Sequence, residues 1–151
     1  MTASPANEDP DALDAVQRLL QQGEVAKALE TLNSLAESTQ SSAMGQYMRG
    51  VCFRLMRDFA NAESALRQLV EGNPSYGRAF QELGHLYRDA NMPTEALNAY
   101  ATACHLNPGL KASWAAQRDL IDKGSPERAA QINQTLQCLE SLPPALLPSW
   151  A

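Results

Sequence analysis

GRAFQELGHLYRDANMPTEALNAYATACHLNPGL, residues 77–110, decides the fold of this chain. Its apolar residues recur three and four positions apart on either side of a turn at residues 91–93. This is the spacing of two amphipathic helices. Proline cannot extend a helix and pushes the preceding residue out of helical geometry, so Pro108 ends the second pattern. The stretch is therefore one helix–turn–helix unit.

The same unit recurs along the chain at a fixed offset. Pro74 matches Pro108 at this offset, and Gly50 matches Gly84. Three alanines form a longer series at the same spacing: Ala28, Ala62 and Ala96. A fixed period of this size indicates stacked copies of one two-helix unit, each burying its apolar face against its neighbours. No sustained apolar and polar alternation predicts a strand, and a polar break is predicted at residues 37–42.

Composition limits the classes of function. A length of 151 residues suits one domain, and the net charge of −5 argues against nucleic acid as a partner. No apolar run reaches the roughly 18 residues of a membrane span, and the N-terminus does not resemble a secretory signal, so we expect a cytoplasmic protein without a membrane partner. The cysteines are odd in number and none is in a CxxC pair, which predicts no metal site and no disulfide framework: Cys52, Cys104 and Cys138.

The period and its residue choices resemble the tetratricopeptide repeat family. Eight residues of the third copy meet the family's preferences: Phe80, Leu83, Gly84, Tyr87, Ala96, Tyr100, Ala103 and Pro108. Other copies depart from the pattern, with Arg49 in place of a leucine and Gln40 in place of a proline. The resemblance implies an all-α fold, a right-handed α-solenoid of antiparallel helix pairs with about seven or eight helices. Gly84 and Ala96 are expected where the two helices of a unit cross.

The resemblance also implies domain limits. A repeat domain would span residues 9–141, between a flexible N-terminal tail at 1–8 and a proline-rich C-terminal tail at 142–151. Its copies would be residues 9–42, 43–76 and 77–110, followed by a degenerate capping repeat at 111–141. In that last repeat, Ile121 is assigned to the first helix, and Ser125 is expected to cap the second.

By resemblance, fixed positions of each first helix face a concave groove that binds a peptide or a protein segment. The predicted groove residues are Tyr47, Val51, Arg54, Arg78, Gln81, His85 and Arg88. Further groove positions hold Leu13, Gln17, Leu20, Met44 and Leu55. Apolar and basic residues side by side suit a peptide with an apolar anchor and a carboxylate. The alternative is that some of these side chains pack against neighbouring copies. The carboxylate clamp of chaperone-binding members is not matched, so that function is not carried over.

Catalytic signals are weak. His85 and Asp89 lie four positions apart, and a histidine paired with an aspartate could act as a general base. No nucleophile motif or phosphate-binding loop accompanies them, and no metalloprotease motif occurs. Cys52 and Cys104 occupy positions where other copies have apolar residues and are interpreted as core residues. We therefore predict a non-catalytic interaction scaffold with no cofactor.

Two further hypotheses stay open. Residues 85–114, with the proline break after Leu142, resemble the front part of bacterial tetratricopeptide-repeat sulfotransferases, which would make the chain an accessory module before a catalytic domain. The ending LPPALLPSWA, residues 142–151, contains two adjacent leucines and a tryptophan, which would be unfavourable if left exposed at the end of a complete monomer. It could cap the last helix, dock into the groove of a second molecule and so form a homo-oligomer, or lead into a longer protein.

Overall fold

The computed structural model describes residues 10–121 and 125–142. Those residues form helices joined by short turns, with no strand among them, which confirms the predicted all-α fold. The helices are α1 (Pro10–Gln21), α2 (Val25–Ser34), α3 (Glu37–Gln40), α4 (Ala43–Leu55), α5 (Phe59–Gly72), α6 (Gly77–Asp89), α7 (Pro93–Leu106), α8 (Lys111–Leu120) and α9 (Pro126–Ser141).

Helix contacts divide the chain into two compact units, residues 1–74 and residues 75–151. In the first unit, α4 packs against α1, α2, α3 and α5, and α1 packs against α2. In the second unit, α7 packs against α6 and α8, α6 also contacts α8, and α9 packs against α8. Residues 1–9, 122–124 and 143–151 lie outside the described residues, so the predicted tails, apart from Leu142, and the limits of the repeat domain stay predictions.

Helix ends follow local sequence in most places. Ser42 caps α4, because its Oγ accepts the N–H of Gly45 at 3.1 Å. Proline stands in the first turn of α7 and of α9, where its missing N–H is not needed. Ser125 is the N-cap of α9 as predicted, but its side chain makes no capping hydrogen bond. The assignment of Ile121 to the preceding helix was wrong by one residue, because α8 ends at Leu120 and Ile121 has an extended backbone.

The turns inside the first three helix pairs share one geometry. A residue with a left-handed backbone follows the first helix of each pair, two positions after its last residue: Gly23, Arg57 and Asn91, with φ of 78°, 61° and 61°. The next residue donates its N–H to the carbonyl five positions back, which is the Schellman arrangement. These bonds join Glu24 to Leu19 at 2.9 Å, Asp58 to Phe53 at 2.9 Å and Met92 to Tyr87 at 2.8 Å. The period of the sequence therefore repeats in backbone conformation as well as in side chains.

Arg57 is the strained member of this series, because a side chain with Cβ is disfavoured in left-handed backbone by about 1–2 kcal/mol. Its guanidinium also lies 5.0 Å from the centre of the Phe59 ring. Arg57→Gly and Arg57→Ala both lose this cation–π contact, so their difference isolates the backbone strain. We expect the glycine variant to be the more stable by about 1 kcal/mol, measured by urea unfolding. Equal stabilities would contradict the strain.

Small residues let the two helices of a pair cross closely. A Cβ added at Gly84 would lie 2.6 Å from the Tyr100 ring, and one added at Gly50 would lie 2.6 Å from Leu66. Ala96 is fully buried. These contacts agree with the sequence expectation that Gly84 and Ala96 mark the crossing of α6 and α7.

The segment predicted as a polar break contains α3, a single helical turn that the sequence did not indicate. Gln40 at its end donates its side-chain amide to the carbonyls of Leu35 at 2.7 Å and Asn33 at 3.0 Å. Arg49 on α4 then donates to Gln40 Oε1 at 2.8 Å and to Asn33 Oδ1 at 2.6 Å. Gln40 and Arg49 looked like two separate departures from the family pattern, but they are partners. We refer to Asn33, Gln40 and Arg49 as the α2–α4 clasp.

Candidate binding surfaces

A stripe of apolar side chains on α4 remains accessible in the first unit. It consists of Met44, Tyr47, Val51 and Leu55, which are three or four positions apart and so share one face of the helix. Met44 is 36% exposed and Leu55 is 44% exposed, although α4 packs against four other helices of its unit. Tyr47 and Val51 are half-buried. We refer to these residues as the α4 stripe.

Tyr47 belongs partly to the scaffold. It packs against the core of the first unit, which contains Leu13, Val16, Ala28, Leu32, Met48 and Cys52. The alternative that some groove residues pack against neighbouring copies therefore holds for Tyr47 in part. Arg54 lies beside the α4 stripe and is half-buried, which places a cation at its edge.

The first copy contributes less to a groove than the family pattern implied. Leu13 is buried in the core of the first unit, and Leu20 is half-buried against the same core. Gln17 is exposed. Both leucines were expected to face the groove, and the structure corrects Leu13 because α1 must bury this residue against α2 and α4.

A basic face lies on α6 in the second unit. Arg78, Gln81 and His85 are half-buried and Arg88 is exposed. We refer to these residues as the α6 face. The Nε of Arg88 lies 3.7 Å from Asp89 Oδ1, and the Arg88 side chain is 45% exposed. This ion pair is therefore long and screened by water, so Arg88 can exchange it for an external anion at little cost.

Gln81 connects two copies within the second unit. Its Oε1 accepts the hydroxyl of Ser113 at 2.7 Å, and Ser113 on α8 is fully buried. A buried hydroxyl that loses its partner is destabilising. Gln81 is therefore a packing residue as well as a candidate surface residue, which is again the alternative that the sequence left open.

The core fixes the ring of His85. His85 Nδ1 lies 2.5 Å from the hydroxyl oxygen of Tyr100, and the two rings meet edge to face with centroids 5.3 Å apart. Tyr100 is fully buried. Tyr100 therefore orients the imidazole of His85 through Nδ1. The arrangement presents a fixed, half-buried imidazole beside two arginines and is suited to recognition.

The two core cysteines are inert thiols. Burial raises the pKa of Cys52 to about 11 and the pKa of Cys104 to about 12. Both thiols therefore stay protonated at neutral pH, and only a thiolate is nucleophilic. Gln117 Nε2 also donates to Cys104 Sγ at 3.1 Å. Cys138 on α9 is exposed. Across residues 10–121 and 125–142, no group of three or more His, Cys, Asp or Glu side chains is placed to hold a metal ion.

None of the described helices combines the length and the apolar character that a bilayer crossing requires.

The predicted groove residues divide between the two units, with Tyr47, Val51 and Arg54 on α4 and the α6 face in the second unit. The sequence named every one of these residues but missed Ser113 and Tyr100 as their partners. The family positions that it used carry no information about such contacts.

Comparisons with known proteins agree on one family. The family model described as Tetratricopeptide repeat matches residues 13–77 and 54–111. A crystal structure of MamA superposes with a TM-score of 0.72 at 21% identity, over 91% of this chain and 80% of that one. MamA 41-end from Desulfovibrio magneticus RS-1 gives a TM-score of 0.65 at 16% identity, over 90% and 76% of the two chains.

The second TPR domain of human RPAP3, solved in complex with the HSP70 peptide SGPTIEEVD, gives a TM-score of 0.66 at 19% identity, over 80% of this chain and 100% of that one. At these identities the structural likeness establishes the fold. No curated protein sequence matches the chain.

Proposed function

This chain belongs to the tetratricopeptide repeat family, and we propose that it is a non-catalytic scaffold that binds a peptide or a protein segment, with the α4 stripe of the first unit and the α6 face of the second unit as two candidate contact surfaces. The exposed apolar surface of α4 carries this proposal. Among the described residues, five large hydrophobic side chains are exposed, and Met44, Leu55 and Met56 lie on α4 or directly after it. Apolar side chains gathered on one helix face are typical of an interaction site.

The α6 face is a candidate contact surface for an anionic group of a ligand. Arg78 and Arg88 are on one helix with His85 between them, while the net charge of the whole chain is −5. Arginines on a protein surface can select anionic partners and speed their association. The RPAP3 domain named above is in complex with a short peptide that carries apolar and acidic residues. This supports a ligand of the same general type here.

The sulfotransferase hypothesis gains no support, because the matching family model and the similar structures named above are repeat proteins. The two buried thiols, Cys52 and Cys104, are poor nucleophiles because their raised pKa values keep them protonated, which supports a non-catalytic role. We propose a cytoplasmic location, since free cysteines suit a reducing compartment.

The binding prediction is tested with Leu55→Ser and Arg88→Glu, separately and together. Both side chains are exposed, so the changes remove an apolar anchor and reverse one charge with little effect on folding. We expect each change to weaken capture of the partner about tenfold or more, as loss of a central contact does. The measurement is affinity capture from a lysate of the source cell by the full chain, quantified by mass spectrometry.

Arg67→Glu is the matched control for this experiment. It makes the same charge change on α5, where Arg67 is 61% exposed and pairs with Glu63 at 2.8 Å. Capture by this variant should equal that of the unaltered chain. If the double variant recovers the same partners in the same amounts, the α4 stripe and the α6 face are not the binding site.

A further inference from the structure

The α4 stripe has defined dimensions and chemistry. Leu55 stands eleven positions after Met44 on one helix. A rise of about 1.5 Å per residue then gives the stripe a length of about 16 Å. No charged side chain belongs to the stripe, and Arg54 stands at its edge. An occupant must therefore supply apolar side chains over a similar length and bring few charges of its own, because a charge buried against this surface would be costly.

Residues 142–151, LPPALLPSWA, have this chemistry. They contain no Asp, Glu, Lys or Arg, but they include Leu146, Leu147 and Trp150 together with three prolines. Proline-rich ligands bind in the polyproline II conformation, in which residues three apart share one side. Pro144, Leu147 and Trp150 follow that spacing and would extend over about 19 Å at about 3.1 Å per residue. This length matches the α4 stripe.

We propose that the α4 stripe of one copy binds residues 143–151 of a second copy, so that the chain assembles through its own C-terminal segment. The inference rests on the proposed function, because it assigns an occupant to part of the same surface. Met44 and Leu55 are exposed on the α4 stripe, and the segment of a second copy could cover them. The segment offers a tryptophan, the residue type that contributes most at the centre of interfaces.

The stripe is tested by Met44→Asp. Met44 lies in the first turn of α4, where the helix dipole stabilises a carboxylate. The variant therefore places a charge on the α4 stripe without weakening the helix. Met92→Asp is the matched control. Met92 is 40% exposed and precedes α7 as its N-cap. Aspartate is also favoured at that position. Trp150→Asp alters the segment itself.

Sedimentation velocity of the full chain at increasing concentration measures the association. We expect the unaltered chain and Met92→Asp to form species larger than one chain. Met44→Asp and Trp150→Asp should each raise the dissociation constant about tenfold or more. An equal mixture of Met44→Asp and Trp150→Asp should associate again, since one copy supplies an intact segment and the other an intact stripe.

Three outcomes would overturn the proposal. The unaltered chain could keep the mass of one chain at all concentrations, which would leave the stripe to a foreign partner or to the chain's own segment. Association could persist in Met44→Asp or Trp150→Asp, which would place the interface elsewhere. The mixture could fail to associate, which would exclude exchange of the segment between copies. None of these results decides the capture experiment on the proposed function, so the two proposals fail separately.

Discussion

Gly84→Ala is expected to destabilise the second unit by about 1–2 kcal/mol through overpacking, although alanine is the better helix former. The added Cβ would lie 2.6 to 2.8 Å from three carbons of the Tyr100 ring, closer than any normal contact. The ring cannot turn aside cheaply, because it is fully buried and its hydroxyl is bonded to His85. Overpacking of this kind costs about 1–3 kcal/mol, and the gain in helix propensity of up to about 1 kcal/mol offsets only part of it.

Gly72→Ala is the control for this prediction. Gly72 is the exposed last residue of α5, and a Cβ there meets no atom within 4 Å. Its alanine variant should be unchanged or slightly more stable, since alanine restricts the unfolded chain. Urea unfolding followed by far-ultraviolet circular dichroism reports on the helices of both units and so measures both variants. Equal midpoints for the two variants would show that the α6–α7 crossing tolerates a methyl group.

The fold was predictable because the features that determine it repeat. Gly84 and Tyr100 meet at a helix crossing, and Gly50 and Leu66 meet at the equivalent crossing one period earlier. A small residue opposite a large one is a packing requirement of the unit itself, so it appears in the sequence of each well-kept copy.

The candidate site was predictable to the level of helix faces. The repeat register assigns Arg88 and Val51 to particular helix faces, and in the structure Arg88 is exposed and Val51 is half-buried. The register does not determine contacts between side chains distant in sequence. His85 meets Tyr100 across 15 residues, and Gln81 meets Ser113 across 32 residues. Such pairs depend on rotamers and on the distance between helices, which a single sequence does not reveal.

The α2–α4 clasp shows how a family pattern can mislead. Compared with the family pattern, the sequence has Arg49 in place of a leucine and Gln40 in place of a proline, so the copies that contain them were interpreted as departures from the pattern. In the structure Arg49 donates hydrogen bonds to Gln40 and Asn33, and Gln40 donates to the Leu35 carbonyl. These bonds connect the end of α2 to α4. Gly45 allows α4 to pack closely against the end of α3, since a Cβ there would lie 2.7 Å from the carbonyl oxygen of Gln40.

Arg49→Leu is therefore expected to destabilise the first unit by about 1–2 kcal/mol, even though leucine is the residue that the family prefers. The variant removes two hydrogen bonds from a charged donor, each worth about 1.5–3 kcal/mol when well shielded. Arg49 and Gln40 are half-buried and Asn33 is exposed, so water recovers part of this loss and the expectation lies at the lower end. Unfolding in urea followed by far-ultraviolet circular dichroism measures the change.

A double-mutant cycle with Gln40→Ala isolates the partnership from each residue's other roles. Gln40→Ala also removes the bonds to Leu35 and Asn33, so it is destabilising by itself. If Arg49 and Gln40 act as a pair, the double variant should be more stable than the sum of the single losses implies, with a coupling of about 0.5–3 kcal/mol. Arg49→Lys serves as the charge control, because a single ammonium cannot reproduce the forked contact to Gln40 and Asn33. Two results would contradict this prediction: additive losses of stability in the cycle, or an Arg49→Leu variant as stable as the unaltered chain. Either would mean that the Arg49–Gln40 contact does not stabilise the first unit.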